Sequence, residues 1–515
     1  MKFDNVGSIG LINDINPQDL PDGAFSDGQN VRFKDGYLEK IEGYSSVFGT
    51  PSIDPYWMLP IVSGSTLYWV YCGLTKAYVT DGTTHTNITR QTASVDVDYN
   101  ADALINWNGG FLSGIGIFNN GVDDPQVWSP ATPATKLTSL RWDASNTWSA
   151  KSHTAKVIRP FGNFLVALNV TKSGTNYPYL VKWSHPAESG TEPTTWDETD
   201  TTKDAGETDL GQSGGVLIDG LALRDSFIIY KEDAVYSMRH IGGQYVFSFN
   251  EIFQFGILSR RCVKEFEGRH LVLTYGDLIL HDGQTAESII DKRMKRWLVD
   301  NIDATNYETS FIVQDHQKNE FKICFPQTGS SLPDKALIWN YRDNTFGTQD
   351  LPNTPHIAYG VVDPSEAVDW DSDSDSWDSD TSSWNQRSYN PSVLKNLMAS
   401  GTNLFLMDDT NTANGTTFTA YAERTSYDFG NDRIKFVKKI WPRITSTGSV
   451  TIKIGTQMNR NDPISWSSYT FDPSTQEHVD TLDKGRYISF YIGSTSDISW
   501  KLSEVDFEVH DSGKH

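Results

Sequence analysis

A chain of 515 residues exceeds the ~250 to 300 at which a single hydrophobic core stops growing, so two or three domains are expected. Its 43 basic and 66 acidic side chains leave a net charge of −23, a sign that opposes phosphate neutralisation and disfavours tight binding to DNA or to an anionic membrane. Aromatic residues make up 12% of the chain, 16 of them Trp, and rings pack well on a pleated surface, so the composition reads as mainly β.

The opening MKFDNVGSIG has no basic region followed by an apolar stretch, and no run of ~18 apolar residues occurs, so neither secretion nor membrane insertion is expected. NVRFKDGYLEKIEGY (30–44) reads as a hairpin, with Asp35 and Gly36 supplying the positive φ angles of a tight turn. KAYVTDGTTHTNIT (76–89), INWNGGFLSGIGIFNNG (105–121) and YGDLILHDGQT (275–285) repeat that grammar at irregular intervals. The intervals fix no repeat period, and they fit a degenerate β-propeller or stacked sheets. Cys72, Cys262 and Cys324 are odd in number and far apart, which fits buried thiols and neither a disulfide framework nor a zinc cluster.

Between 182 and 250 a loop-like KWSHPAESGTEPTTWDE leads into LALRDSFIIYKE, AVYSMRHIGG and YVFSFNEIF, strands of one meander. TAESIIDKRMKRWLVDNI (285–302) predicts a helix, with Thr285 as N-cap and Ile290, Met294, Trp297, Leu298 and Ile302 on one face. Lys292, Arg293, Lys295 and Arg296 then form an opposite basic face, a candidate interface or DNA-facing surface. From 343 to 386 there are ten acidic residues and no Lys or Arg. In that stretch DWDSDSDSWDSDTSSWN (369–385) sets Trp370, Trp377 and Trp384 seven residues apart as candidate interaction anchors, since each ring can bury ~150 to 250 Å². Beyond it FTAYAERTSYDFG, KFVKKIWPRI, SVTIKIGTQ, RYISFYIG and EVDFEVHD resume a strand pattern of sandwich size. The division expected is a propeller-like β domain over 1–390, with the acidic Trp/Asp/Ser loop near 363–386, and a β-sandwich-like domain over 391–515; helices are few and short.

Catalytic signatures are not found. An EF-hand register on the acidic loop puts serine where Gly and Glu belong, at Ser376 and Ser382, so only a nonstandard cation site survives there. SWDSDTSSW and SGTEPTTW each miss the Asp-box turn of sialidase-like propellers, and no feature selects a carboxylate pair for glycoside hydrolysis. No GxSxG elbow occurs. His185 and His240 lack metal-ligand spacing, and GQSGG (211–215) lacks the Lys of a phosphate loop and reads as a turn. No enzyme activity, metal or cofactor is expected.

GLINDINPQDLPDGAFSDGQNVRFKDGYLEKIEGY (10–44), VKWSHPAESGTEPTTWD, IIYKEDAVYSMRHIGGQYVFSF, the WDSD repeats, AERTSYDFG and KKIWPRI resemble, in that order, segments of the tail nozzle and packaged-DNA stabilisation proteins of short-tailed bacteriophages. The resemblance implies a virion structural protein, assembled in the host cytoplasm into a homohexameric ring below the portal and adaptor. Its implied partners are the adaptor or portal-side tail proteins, tail fibres or spikes, and duplex DNA that passes without tight or specific binding. An acidic lumen suits that role, because a phosphate-binding wall would impede sliding. The alternative is a tail-associated glycan-binding or glycan-degrading propeller.

Overall fold

The computed structural model describes residues 2–3, 5–63, 66–104, 107–243, 245–362 and 394–511. Its hairpins follow local turn chemistry. Asp35 and Gly36, at φ 53° and 79°, join Val31–Lys34 to Tyr37–Lys40, and Ser113 and Gly114, at 49° and 104°, join Asn108–Leu112 to Ile115–Asn119. Positive φ at both turn positions matches the right-handed twist of the flanking strands.

Among the described residues these hairpins chain into seven four-stranded antiparallel units, 57–87, 108–139, 153–209, 217–253, 263–288, 311–350 and 356–407, here numbered blades 1 to 7; six are separate sheets and the sixth in order, 311–350, is part of a larger one. The inner strand of each blade packs on the inner strand of the next, and His356–Val361 of blade 7 returns to Trp57–Ser63 of blade 1. The body is therefore a closed, propeller-like ring. Its seventh blade borrows an outer strand from the start of the chain: Tyr44–Ser46 pairs with Asn403–Met407 in the register Met407 to Tyr44. Apolar cores between blades continue round the ring, for example Trp57, Val70, Trp107 and Trp128 between blades 1 and 2, and Trp69, Tyr71, Leu397 and Leu404 between blades 7 and 1.

The second unit is a β-sandwich. One layer has the order Asp27–Gln29, Ala420–Tyr427, Tyr487–Ser494, Val450–Gln457, Ser465–Phe471. Burial alternates along its strands, so Ile452, Ile454 and Ile492 meet Val437, Ile440 and Phe507 of the facing layer in one core. That facing layer is the end of a ten-stranded sheet. The sheet begins as blade 6, continues through Val31–Lys34 and Tyr37–Lys40, and ends with Trp500–Asp511, Lys435–Ser446 and Val479–Gly485. Propeller and sandwich thus share hydrogen-bonded strands, through the pairs Thr348 with Val31 and Leu38 with Leu502.

At that seam a charged cluster is sealed from water. Arg32 places NH2 2.6 Å from Asp408 Oδ1 and Nε 3.2 Å from Glu320 Oε1, while Lys322 Nζ lies 3.2 Å from Asp408 Oδ2 and donates to Gln349 Oε1 at 3.0 Å. It ties the N-terminal strand to blade 6 and to the loop that leaves blade 7. Burial alone would raise Asp408, but Arg32 and Lys322 hold its carboxyl far below the ordinary range; burial pushes Glu320 up to about 6 despite the same cations.

One expectation needs correction. The helix covers Lys295–Asn301 and not 285–302: Ala286–Ser288 is instead the outer strand of blade 5, and Lys292 sits at φ 57°, which no helix tolerates. Ile290, Met294 and Leu298 are buried as their spacing implied, but on two conformations. The strands Leu394–Ser400 and Asn403–Met407 belong to blade 7, and Asp27–Gln29 and Tyr37–Lys40 pair with strands of the sandwich. Cys72, Cys262 and Cys324 are free and buried.

Candidate functional site

Trp370, Trp377 and Trp384 lie outside the described residues. The four basic residues expected on one helical face do not share one. Lys292 precedes the helix and is exposed. Arg293 is half-buried, donating to the carbonyls of Asn344 and Ile9 at 2.7 Å each and lying 4.9 Å over the Phe346 ring. Lys295 pairs with Asp277 at 2.6 Å, and exposed Arg296 pairs with Asp300 at 3.4 Å. Arg293 works as a clamp on the N-terminal segment, since its carbonyl also accepts from the amides of Asn13 and Asp14.

A different basic cluster sits where the inner strands meet. Arg159, on the blade 3 strand His153–Phe161, grips Asp219 of blade 4 through Nε and NH2, both at 2.9 Å, and sends NH1 to the carbonyl of Gly109 on blade 2 at 3.1 Å. Arg260 and Arg261 occupy the loop leading into the blade 5 strand Val263–Phe266. Arg260 passes blade 4 to donate to the carbonyl of Lys156 on blade 3 at 3.0 Å, and Arg261 passes blade 6 to donate to that of Pro355, just before blade 7, at 3.1 Å. Both reaches are chords across the inside of the ring. Arg261 holds φ at 66°, unusual for a residue with a side chain, while its amide donates to Asp219 Oδ2 at 2.9 Å.

Lys264, on the same blade 5 strand, and Lys156 complete the set. Neither ammonium makes a hydrogen bond or ion pair with a described residue. Lys264 is exposed to solvent, and desolvation and the neighbouring Arg159 hold its ammonium below its usual value. Desolvation also lowers Arg260 and Arg261, each to about 10, and drops His356 well below its ordinary value, with Arg261, Lys264 and Arg159 adding to the effect. His356 is thus neutral, its Nδ1 accepting from the Met58 amide at 3.2 Å and closing blade 7 on blade 1. Burial would raise Asp219, but Arg159 and the amides of Arg261 and Gly220 hold it low and ionised.

Arg159, Arg260, Arg261 and Lys264 therefore lie within electrostatic reach of the buried carboxylate Asp219, with Lys156 and Glu308 in reach of Arg260. Such a site concentrates positive potential inside a strongly acidic molecule.

No family model matches the chain, and no curated protein matches it. Solved structures that align with it in part include the AfRom2 CNH domain, at 7% identity and TM-score 0.36 over 72% of this chain and 97% of that one. The extracellular domain of a hybrid two-component system from B. thetaiotaomicron aligns at 11% identity and TM-score 0.29 over 56% of this chain and 39% of its own. PorZ, a surface component of the type-IX secretion system of Porphyromonas gingivalis, aligns at 9% and 0.33 over 85% of this chain and 48% of its own. At these scores the likeness carries no argument about function.

His185 Nδ1 accepts from the Asp204 amide at 3.2 Å, exposed His240 stacks near Phe164 and Phe247, and 211–215 is a turn beneath Lys231, which donates to the Leu210 carbonyl at 2.7 Å. Among the described residues no group of three or more His, Cys, Asp or Glu is placed to hold a metal.

Proposed function

We propose that this protein is a non-enzymatic virion structural component, a subunit of the ring-shaped tail nozzle of a short-tailed bacteriophage that retains packaged DNA and lets it pass during ejection. The observation that carries the reading is the ten-stranded sheet, which welds propeller and sandwich into one unit through backbone hydrogen bonds. A ring repeats one heterologous interface, so each copy must hold two dissimilar patches at a fixed distance, and two domains sharing a sheet do that where a linker does not. The ordered resemblance of GLINDINPQDL, VKWSHPAESG, AERTSYDFG and KKIWPRI to nozzle proteins supports the same reading.

Electrostatics sharpens it. Arg260 and Arg261 bridge inner segments of the ring, and in this reading DNA passes between copies and not through one propeller. In this reading the excess carboxylates of the outer faces supply the acidic wall. One candidate contact is the edge strand Val479–Gly485, where Leu482 is 81% exposed between Asp480 and Lys484.

Negative-stain imaging of the purified protein with the adjacent adaptor proteins tests the proposal. Six-fold rings with an axial hole are the expected result. Particles that never join the adaptor, or that cleave host polysaccharide, would overturn it.

A further inference from the structure

We propose that Asn414 is a site of spontaneous deamidation, through which the loop that seals blade 7 onto the start of the chain loosens with age. The inference goes beyond the tail-nozzle reading and does not depend on it.

The sequence holds three Asn-Gly steps, at Asn108, Asn120 and Asn414. In such a step the backbone nitrogen that can attack the asparagine amide is unshielded, because glycine has no Cβ. Two of the three are locked. Asn108 is buried in a strand, its Oδ1 accepting from the Ile158 amide at 2.9 Å and its Nδ2 donating to the Lys156 carbonyl at 3.1 Å. Asn120 is buried as well, its Oδ1 accepting from the amides of Val122 and Asp123 at 3.0 and 2.8 Å and its Nδ2 donating to Asp123 Oδ2 at 2.6 Å. Asn414 differs on both counts: it is exposed, and its side chain makes no hydrogen bond among the described residues. With Gly415 it forms a two-residue turn, at φ 49° and 83°, closed by the mutual backbone bonds of Ala413 and Thr416 at 2.8 and 3.0 Å.

The reaction balances with water as its one co-reactant. The Gly415 nitrogen attacks Cγ of Asn414 and loses its proton to solvent, a C–N bond forms, and the side-chain nitrogen takes up a proton and leaves as ammonia. Water then opens the cyclic imide at either carbonyl, giving aspartate or isoaspartate. To begin, the Gly415 amide must release Thr412 Oγ1, which accepts from it at 3.2 Å, and the exposed turn must open; at Asn108 and Asn120 buried hydrogen bonds must break as well. Position gives the change its effect. The Asn414 amide donates to the Tyr44 carbonyl at 2.8 Å and the Tyr44 amide to the Thr412 carbonyl at 3.0 Å, while a Cβ on Gly43 would lie 2.0 Å from that same carbonyl oxygen. Isoaspartate carries the main chain through the side-chain methylene and so adds an atom to a loop fitted this closely, while either product adds a negative charge. The outer strand of blade 7, Tyr44–Ser46, then loses one of the two flanks that hold it.

Storage of the full chain in warm, mildly alkaline buffer, followed by peptide mapping with isoaspartyl methyltransferase labelling, tests the proposal. The folded protein should accumulate aspartate and isoaspartate at 414 about a hundredfold faster than at 108 or 120, two buried hydrogen bonds at about tenfold each, whereas all three positions should react at similar rates in urea. Asn414→Gly keeps the left-handed turn and should abolish the product there with an unchanged melting curve. Hydrogen exchange at the Tyr44 amide should quicken about tenfold in the aged parent and stay as it was in aged Asn414→Gly. Equal rates at the three positions of the folded chain, or an intact Asn414 over a time in which the unfolded chain reacts, would overturn the site. Unaltered exchange at Tyr44 in a chain shown to carry isoaspartate at 414 would overturn the loosening.

Discussion

Two charged clusters organise this molecule, and they are built on opposite terms. At the seam Arg32 and Lys322 meet Asp408 and Glu320, two cations for two carboxylates, with side chains 7% exposed or less. Among the inner strands Arg159, Arg260, Arg261 and Lys264 lie within electrostatic reach of the buried carboxylate Asp219, and Lys264 is exposed. Matched and dry charge has nothing left to offer a ligand and serves to fix one strand against two blades. Unmatched charge is retained at a cost in stability.

The largest expected effect tests the seam. Asp408→Asn should destabilise by about 3 to 5 kcal/mol in urea unfolding, because it strands Arg32 and Lys322 without their shared anion. Asp219→Asn should cost less, about 1.5 to 3 kcal/mol, since Arg159 keeps the Gly109 carbonyl and partial access to water. Equal losses would erase the distinction between the clusters.

How much of this was legible in the sequence depends on whether a signal is local. Asp35-Gly36 specifies its own turn, so the hairpin was readable from a few residues. The blade count was hidden because blade 7 is assembled from 44–46 and 356–407, which no linear period can reveal. The helix over 285–302 was misread because Ile290, Met294 and Leu298 keep helical spacing across a backbone that turns at Lys292. The axial cluster draws on residues 156, 159, 219, 260, 261 and 264, each of which resembles an ordinary strand or loop charge. Its one local signal was the adjacent pair Arg260 and Arg261 entering a strand of an acidic chain.

Acidity gives the next effect. Asp219 and Asp408 are held below their unfolded values, so the stability they confer is present above ~pH 3.9 and is lost as pH falls below it. Glu320, raised to about 6, and Glu423, raised to about 7 by burial and Asp27, run the other way: their contribution is complete below ~pH 4.3 and is lost as pH rises through those values. Urea midpoints should therefore peak between about pH 4 and 6. Glu320→Gln should remove up to about 2 kcal/mol of the decline on the alkaline side.

The smallest effects concern exposed positions. Lys264→Gln should leave stability within about 0.5 kcal/mol of the parent, or raise it slightly, in anion-free buffer, because it relieves repulsion and breaks no hydrogen bond. Leu482→Asp should likewise stay within about 0.5 kcal/mol while lowering the fraction of assembled rings seen by light scattering. A variant that melts early would mark this edge as part of the fold and not as a docking surface.

The strand Tyr44–Ser46 has a consequence for how the protein is made. Its partner, Asn403–Met407, emerges from the ribosome some 360 residues later, and the mates of Val31–Lys34 and Tyr37–Lys40 include Thr348 and, at the far end, Leu502. Residues 31–46 are thus seated only after partners made hundreds of residues later, and until then they present open β-edges, a condition that exposes a nascent chain to aggregation. Loss of residues 31–46 should for that reason impair production of the protein far more than their position on the finished surface would predict.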